Sequence, residues 1–316
     1  MRVVLLGKGF MLANLILGVK EAGADIVGVF RYEQTTDSQF KLLIKDFFKP
    51  APEVTIIKQL KLNQIRFNSA NNEYFQKLLV DLNVDLLIVG TWKEKISPKT
   101  YNIPKIATIN VHPSLLPKYR GPNPYLQTIL NGEEYSGVTI HLVNNKYDAG
   151  EILKQEKVRI YSNDTSEELR ERTVRKAREL IRDLIKDLNN KVITPVNQNE
   201  KQATYYPNIS GEEMMLDFEY QTSDEISKTI RALHPFLPCY ITYKNKFFKV
   251  NPYKFKILDI ENSGNAGNII AKNAKNSSLT IVCKDKKPIT FTHLKLYKSH
   301  FTKFYIKHVV KISKQN

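Results

Sequence analysis

The chain's 316 residues, 42% hydrophobic and 25% charged, are enough to bury a full core in two domains and argue against intrinsic disorder. Two cysteines, Cys239 and Cys283, are too few for a zinc site or a disulfide framework, so both are expected as buried thiols in a reducing cytosol, with no metal. The net charge of +16 is unevenly spread: from Tyr240 to the C-terminus sixteen lysines stand against three acids, a balance of +13, and the rest of the chain carries only +3. A general bias toward lysine would spread over both domains. A cationic end instead predicts a polyanion-binding surface, because clustered lysine releases counterions from a phosphate backbone whatever its sequence.

The first residues, Met1-Arg2-Val3-Val4-Leu5-Leu6, run straight into a strand without a basic, apolar and small-residue leader. No apolar stretch of about 18 residues follows, so a cytoplasmic chain that does not span a membrane is expected. Residues 3–7 read as a strand, 10–22 as a helix ending at Gly23 and 26–30 as a second strand, the βαβ start of a parallel sheet. Gly7-Lys8-Gly9 between them lacks the third glycine of a dinucleotide loop, since position 12 is Leu12, and a tight turn is the preferred reading. Residues 31–72 are polar and weakly periodic, with Lys41, Lys45, Lys49, Lys58, Lys61 and Arg66 around Pro50-Ala51-Pro52. Loops of this length inside an α/β unit are functional or mobile.

Residues 85–90 continue the sheet, and Thr91-Trp92-Lys93 leaves it; Trp92, the only tryptophan, suits either core packing or the wall of a pocket. Residues 106–111 form a buried strand that breaks into Asn110-Val111-His112-Pro113-Ser114-Leu115-Leu116-Pro117-Lys118-Tyr119-Arg120-Gly121. Strand side chains alternate, so Asn110 and His112 point the same way at a strand's carboxyl end, where open α/β sheets place their active sites. A third polar group, Asp148, follows in Lys146-Tyr147-Asp148-Ala149-Gly150, after an alternating strand over 138–143 in which His141 reads as structural.

From Asp164 a long helix opens, with Thr165 and Glu168 at capping-box spacing and Leu169, Ala177, Leu180, Leu184 and Leu188 along one face. Its arginines, interleaved with acids, read as a solvated face of paired charges. Residues 196–207 are polar and read as a linker, and 224–233 as a short helix. Six short strands follow, at 240–243, 247–250, 255–260, 269–271, 279–283 and 290–296, the pattern of a small β-barrel. The expected division is therefore 1–195, a 196–207 linker and a strongly basic 208–316.

Asn-x-His-x-Ser-Leu-Leu-Pro, then Ser136-Gly137-Val138-Thr139-Ile140-His141 and Asp148-Ala149-Gly150, resembles the folate-dependent formyltransferase family. Ile230-Arg231-Ala232-Leu233-His234-Pro235-Phe236 is similar to that family's junction with an OB-like C-terminal barrel. The resemblance implies a Rossmann-like catalytic domain, Asn110, His112 and Asp148 as the catalytic triad, and 10-formyltetrahydrofolate as formyl donor without a metal. It implies folate contacts from Ser114, Leu115, Leu116 and Pro117, with Val89, Trp92 and Val138 lining the slot. For the acceptor it implies the α-amino group of methionine on initiator tRNA, gripped by a basic insertion carrying Lys41 and Lys45 and by Lys284, Lys286 and Lys287, in a monomer. Departures are the Gly7-Lys8-Gly9 turn, where the tRNA-specific branch carries Gly-Thr-Pro, and the Asp148-Ala149-Gly150 form of the aspartate loop. These leave a nucleotide-linked amino sugar as the alternative acceptor, and an inactive RNA-binding protein as a remote one.

The chemistry so implied needs a neutral amine, a donor for a tetrahedral oxyanion and a proton for the departing folate nitrogen. Asn110 offers an amide N–H for the oxyanion, worth on the order of 3 kcal/mol when well placed. His112 titrates near neutrality and suits proton transfer. Asp148 is expected to fix the histidine's tautomer, raise its basicity and accept the amine's proton.

Overall fold

A computed structural model of the chain describes residues 1–35, 37–209 and 211–297, so the last stretch of the basic tail, 298–316, lies outside the described residues. Two compact units are present. The first comprises Met1–Pro124, Tyr135–Arg159 and Arg170–Pro207, and the second Tyr125–Glu134, Ile160–Leu169 and the described residues from Asn208 on.

The first unit is α/β and Rossmann-like. Its elements in chain order are β1 (Arg2–Gly7), α1 (Gly9–Glu21), β2 (Asp25–Arg31), α2 (Gln39–Phe48), α3 (Pro52–Gln59), β3 (Gln64–Ile65), α4 (Glu73–Asp81), β4 (Leu86–Gly90), α5 (Pro98–Tyr101) and β5 (Ala107–His112). After α6 (Pro124–Leu130) come β6 (Tyr135–Leu142), β7 (Ile152–Arg159) and α7 (Ser166–Asn189). The seven strands lie in the order β3-β2-β1-β4-β5-β6-β7, parallel as far as β5 and antiparallel from β5 to β7.

Alternation along β1 builds both halves of the core. Val3 and Leu5 join Met11, Leu12 and Leu15 of α1 and Val174, Ala177 and Ile181 of α7 on one face of the sheet. Val4 and Leu6 join Phe30, Phe75, Leu79 and Val89 on the other. Gly7 answers to packing: a Cβ there would run into the carbonyl oxygen of Gly90, where β1 and β4 end side by side.

Residues 31–72, expected as one long loop, hold α2 and α3. Ser38 caps α2 by accepting from the Lys41 backbone N–H at 3.3 Å, and Pro52 starts α3. What anchors them is charged: the guanidinium of Arg31, 1% exposed, meets Asp46 at 2.6 Å and fully buried Glu53 at 3.4 Å. Burial raises the Glu53 carboxyl above its ordinary range, with Arg31 opposing. Leu42, Val54 and Ile57 are buried alongside them, but charged anchors of this kind carry no sequence period of their own.

The second unit adds α8 (Ser223–Leu233), capped by Thr222 and Glu225, then β8 (Tyr240–Tyr243), β9 (Lys246–Lys249), β10 (Phe255–Ile257), β11 (Ile269–Asn273), β12 (Ser278–Val282), β13 (Pro288–Phe291) and β14 (Lys295–Leu296). These short strands form two antiparallel sheets, β10-β13-β12-β11 and β14-β9-β8. The expected single strand over 290–296 is two: His293, at φ 56, turns the chain between β13 and β14, which join different sheets. Cys239 and Cys283 are free and buried, and burial pushes both thiols up to about 12. Among the described residues no helix is long and apolar enough to cross a membrane.

Candidate active site

The register of β5 against β6 places Asn110 opposite His141 and His112 opposite Thr139. Directly opposed residues on antiparallel strands share a face, so four polar side chains gather on one side of the ladder. Past β6 the chain turns through residues 143–151, where Asp148 sits at φ 51 in the left-handed region. Gly150 follows because a Cβ there would collide with the carbonyl oxygen of Leu142.

One carboxylate oxygen is the meeting point. Asp148 Oδ1 lies 3.3 Å from Asn110 Nδ2, 3.5 Å from His112 Nδ1 and 3.7 Å from His141 Nε2. Its partner Oδ2 accepts the Gly121 backbone N–H at 3.1 Å. Burial works against the charged form, yet His112 and His141, protonated at the acid pH where a carboxyl titrates, together with the Gly121 N–H hold the Asp148 carboxyl well below its usual range.

The hydrogen-bond partners fix the proton positions. His112 Nε2 is 2.9 Å from the Tyr119 carbonyl oxygen, which can only accept, so the proton sits on Nε2 and Nδ1 faces Asp148. Tyr119, not Asp148, therefore sets this tautomer. Burial lowers the His112 imidazole; the Asp148 charge pulls upward and is outweighed, against the expectation of a raised basicity. His141 Nδ1 is 2.8 Å from the Leu142 carbonyl oxygen and must donate to it, which leaves Nε2 an acceptor, 3.1 Å from Asn110 Nδ2. With His141 and Asp148 both accepting, the Asn110 amide has to present its NH2 edge to them. His141, expected as structural, is thus part of the site. The sign was available in the alternation Val138-Thr139-Ile140-His141 once β6 is paired antiparallel to β5.

Beside this group opens a cleft whose lining includes Asn110, His141 and Asp148, though not His112. Val89, Trp92, Ile96 and Val143 supply apolar wall, and Glu94, Lys95, Asn144, Lys146 and Tyr147 the polar rim. Trp92 packs edge-on against Phe30 and Tyr32 at 5.1 and 5.2 Å, and its buried indole Nε1 has no hydrogen-bond partner. Glu94 is held by the Ala70 N–H at 2.8 Å and Asn71 Nδ2 at 3.1 Å.

Five residues expected on the ligand wall are elsewhere. Ser114, Leu116 and Val138 are buried, and none of these, nor Leu115 or Pro117, is among the cleft-lining residues. The loop spends its polar groups on itself: Ser114 Oγ donates to the Lys118 carbonyl at 2.8 Å, and Thr139 Oγ1 donates to the Ser114 carbonyl at 2.6 Å while accepting the Leu116 N–H at 3.2 Å. Leu115 packs against Gly137, and the Pro117 carbonyl accepts the Thr204 N–H at 3.3 Å. The segment is a brace behind His112 more than a ligand surface.

The lysines expected to meet phosphate are on the surface of their respective units. Lys41 and Lys45 are exposed on α2, with Lys41 paired to Asp37 at 2.5 Å. Lys284 is exposed between β12 and β13, Lys286 Nζ donates to the Gly264 carbonyl at 3.1 Å, and Lys287 pairs with Asp259 at 3.0 Å. Exposed pairs of this kind contribute little and exchange readily for another anion. No cluster of metal-ligating side chains occurs among the described residues.

Comparison with known proteins extends along the same chain. Residues 1–185 match the formyl transferase family model and residues 208–302 that of the formyl transferase C-terminal domain. The methionyl-tRNA formyltransferase of Natranaerobius thermophilus is 30% identical over 202 residues, 64% of this chain and 64% of its own length. That of Pediococcus pentosaceus is 31% identical over 256 residues, 80% of this chain and 77% of the relative. Among solved structures, the sugar 3N-formyl transferase WlaRD aligns with a TM-score of 0.64 at 18% identity over 95% of this chain and 98% of its own, a likeness of fold. A family match over more than half the sequence, together with an alignment above 30% across four fifths of it, establishes that the chain belongs to the formyl transferase family.

Proposed function

We propose that the cleft takes a formyl group from 10-formyltetrahydrofolate and passes it to the α-amino group of methionine on initiator tRNA, with Asn110, His112 and Asp148 as catalytic residues. The observation that carries the chemistry is the convergence of Asn110 Nδ2, His112 Nδ1 and His141 Nε2 on Asp148 Oδ1 beside an open cleft. The cleft's apolar wall with an orphaned indole N–H suits a flat heterocycle carrying acceptors. Trp92, Val89 and Ile96 would hold that ring. The donor supplies an activated formyl carbon, and every other requirement falls on side chains.

Asn110 carries two amide hydrogens, directed at His141 and Asp148. The contact to Asp148 is the longer, at 3.3 Å against 3.1 Å, and is the one given up when the formyl oxygen gains negative charge. His112, neutral and with its unprotonated Nδ1 turned to the Asp148 side, takes the proton released by the attacking amine, and Asp148 steadies the imidazolium at 3.5 Å. Returned to the folate nitrogen, that proton completes the transfer.

For the acceptor, support comes from relatives named methionyl-tRNA formyltransferase that align with 80% and 84% of this chain, from the matched C-terminal domain and from the lysine-rich end. The Gly7-Lys8-Gly9 turn and the Asp148-Ala149-Gly150 loop favour a second reading, transfer to a nucleotide-linked amino sugar. Incubation with the folate donor and either charged initiator tRNA or a panel of dTDP- and UDP-amino sugars separates them. Formylation of sugars alone would end the tRNA reading.

A further inference from the structure

Residues 186–207 fall between the two matched family models, and within them 196–207 read from sequence as a polar linker. A segment that only joined two units would leave its polar groups to water. This one turns them onto the two loops that carry the site. Val196 pairs with Ile152 through both backbone bonds, at 2.8 and 2.9 Å, beside the Asp148 loop. Gln198 then spends its whole amide: Nε2 donates to the carbonyl oxygens of Asp148 at 2.9 Å and Gly150 at 2.7 Å, while Oε1 accepts from Arg120 at 2.7 Å. Arg120 also grips Glu200 at 2.6 and 3.0 Å. Further on, Thr204 Oγ1 accepts the Tyr119 N–H at 2.8 Å, its carbonyl accepts the Arg120 N–H at 2.9 Å, and the Tyr206 ring stacks on Tyr119 at 5.2 Å. Tyr119 is the residue whose carbonyl holds His112, and Gly121, next to Arg120, donates to Asp148.

We infer that residues 196–206 are a strap that positions the active site, with Gln198 the residue that holds the Asp148 loop at its hydrogen-bonding distance from His112 and Asn110. The loop has few means of its own. Asp148 is in a left-handed conformation, which an L-residue holds at some cost, and the Lys146-Tyr147 stretch before it is exposed. Two amide bonds from Gln198 to its main chain help to hold it there, and Arg120, shared between Gln198 and Glu200, ties the same strap to the loop of Tyr119 and Gly121. Gln198 touches neither ligand nor reacting atoms; it acts through the placement of Asp148.

The inference rests on the formyl-transfer reading, so the test carries one measurement that needs turnover and one that does not. In the full chain, Gln198→Leu removes all three bonds, and Gln198→Glu keeps an acceptor for Arg120 but cannot donate to the two carbonyls. Both are expected to lower kcat by about 10- to 100-fold, the scale of a displaced catalytic group, with KM for either substrate changed less than about threefold. Backbone amides of residues 144–152 should exchange with deuterium at least about fivefold faster in both variants, as local opening becomes easier. Should Gln198→Leu fold poorly, Thr204→Val, which keeps the shape and removes only the bond to Tyr119, is read in its place for kcat. Unchanged exchange across 144–152, or kcat within about twofold of the parent protein in both Gln198 variants, overturns the strap. A parent protein that exchanges as expected but formylates no acceptor counts against the formyl-transfer reading instead.

Discussion

The two loops that meet at Asp148 depend on distant sequence to different degrees. In the loop after β5, Ser114 closes onto the Lys118 carbonyl, Thr139 ties Ser114 to Leu116, and His112 is 5% exposed with its Nε2 on the Tyr119 carbonyl, while Thr204 braces Pro117 and Tyr119 from far along the chain. The loop between β6 and β7 is open to the cleft along Val143, Asn144, Lys146 and Tyr147 and borrows its restraint from Gln198 and Gly121. The imidazole is therefore held by a carbonyl of its own loop, with a distant segment bracing that loop, and the carboxylate mainly by contacts made far along the chain.

Substitutions on the two sides should separate accordingly. The largest effect is expected from Asp148→Asn, which leaves the loop's shape but removes the charge that supports a protonated His112; formyl-transfer kcat should fall by about 10³-fold, within the span of lost acid–base assistance. A loss under about tenfold would place the proton acceptor elsewhere. Asn110→Ala comes next, at about 10²- to 10³-fold in kcat with KM little changed, the signature of a donor used mainly when charge develops. A smaller loss, about tenfold, is expected for His141→Leu, because Asn110 then has one fixed partner in place of two. His141→Gln, which can return an acceptor near the Nε2 position, should recover most of it. Equal rates for the two His141 variants would show that the Asn110 amide needs no such orientation.

The smallest and most diagnostic effect concerns stability against pH. His112 is lowered below its ordinary 6.5 by burial, so as pH falls through that value the unfolded chain binds a proton that the folded chain refuses, and stability declines. Asp148 has the same sign in a lower window: its folded carboxyl is lowered too, so the stability it lends is present above its ordinary 3.8 and is lost only as pH falls below that. Urea midpoints should thus drop between about pH 7.5 and about pH 5.5 in the parent protein, and drop less in His112→Gln. An equal decline in both would mean that other groups dominate in that window.

The same contrast explains how much was legible beforehand. Strand β5 and its polar pair were readable because alternation and a dense motif are local signals. Helices α1, α7 and α8, the cap at Thr165 and most of the C-terminal strands followed from periodicity and turn residues. His141 was passed over because its role exists only through the register that sets it opposite Asn110. Gln198 and Thr204 were invisible for the same reason, being polar residues in a stretch without period. Helices α2 and α3 were missed although Leu42, Val54 and Ile57 are buried, because Arg31, Asp46 and Glu53, charged and superficial by type, share in fastening them.

Placing Asn110 and His141 face to face within the β5–β6 ladder, and not at the tip of a turn, has an evolutionary consequence. Main-chain bonds on both sides preserve the pair's alignment through drift in the neighbouring turns, so residues around Trp92 and Tyr147 are free to vary. Contacts at the rim can change while the Asn110–His141 pair beneath it keeps its alignment.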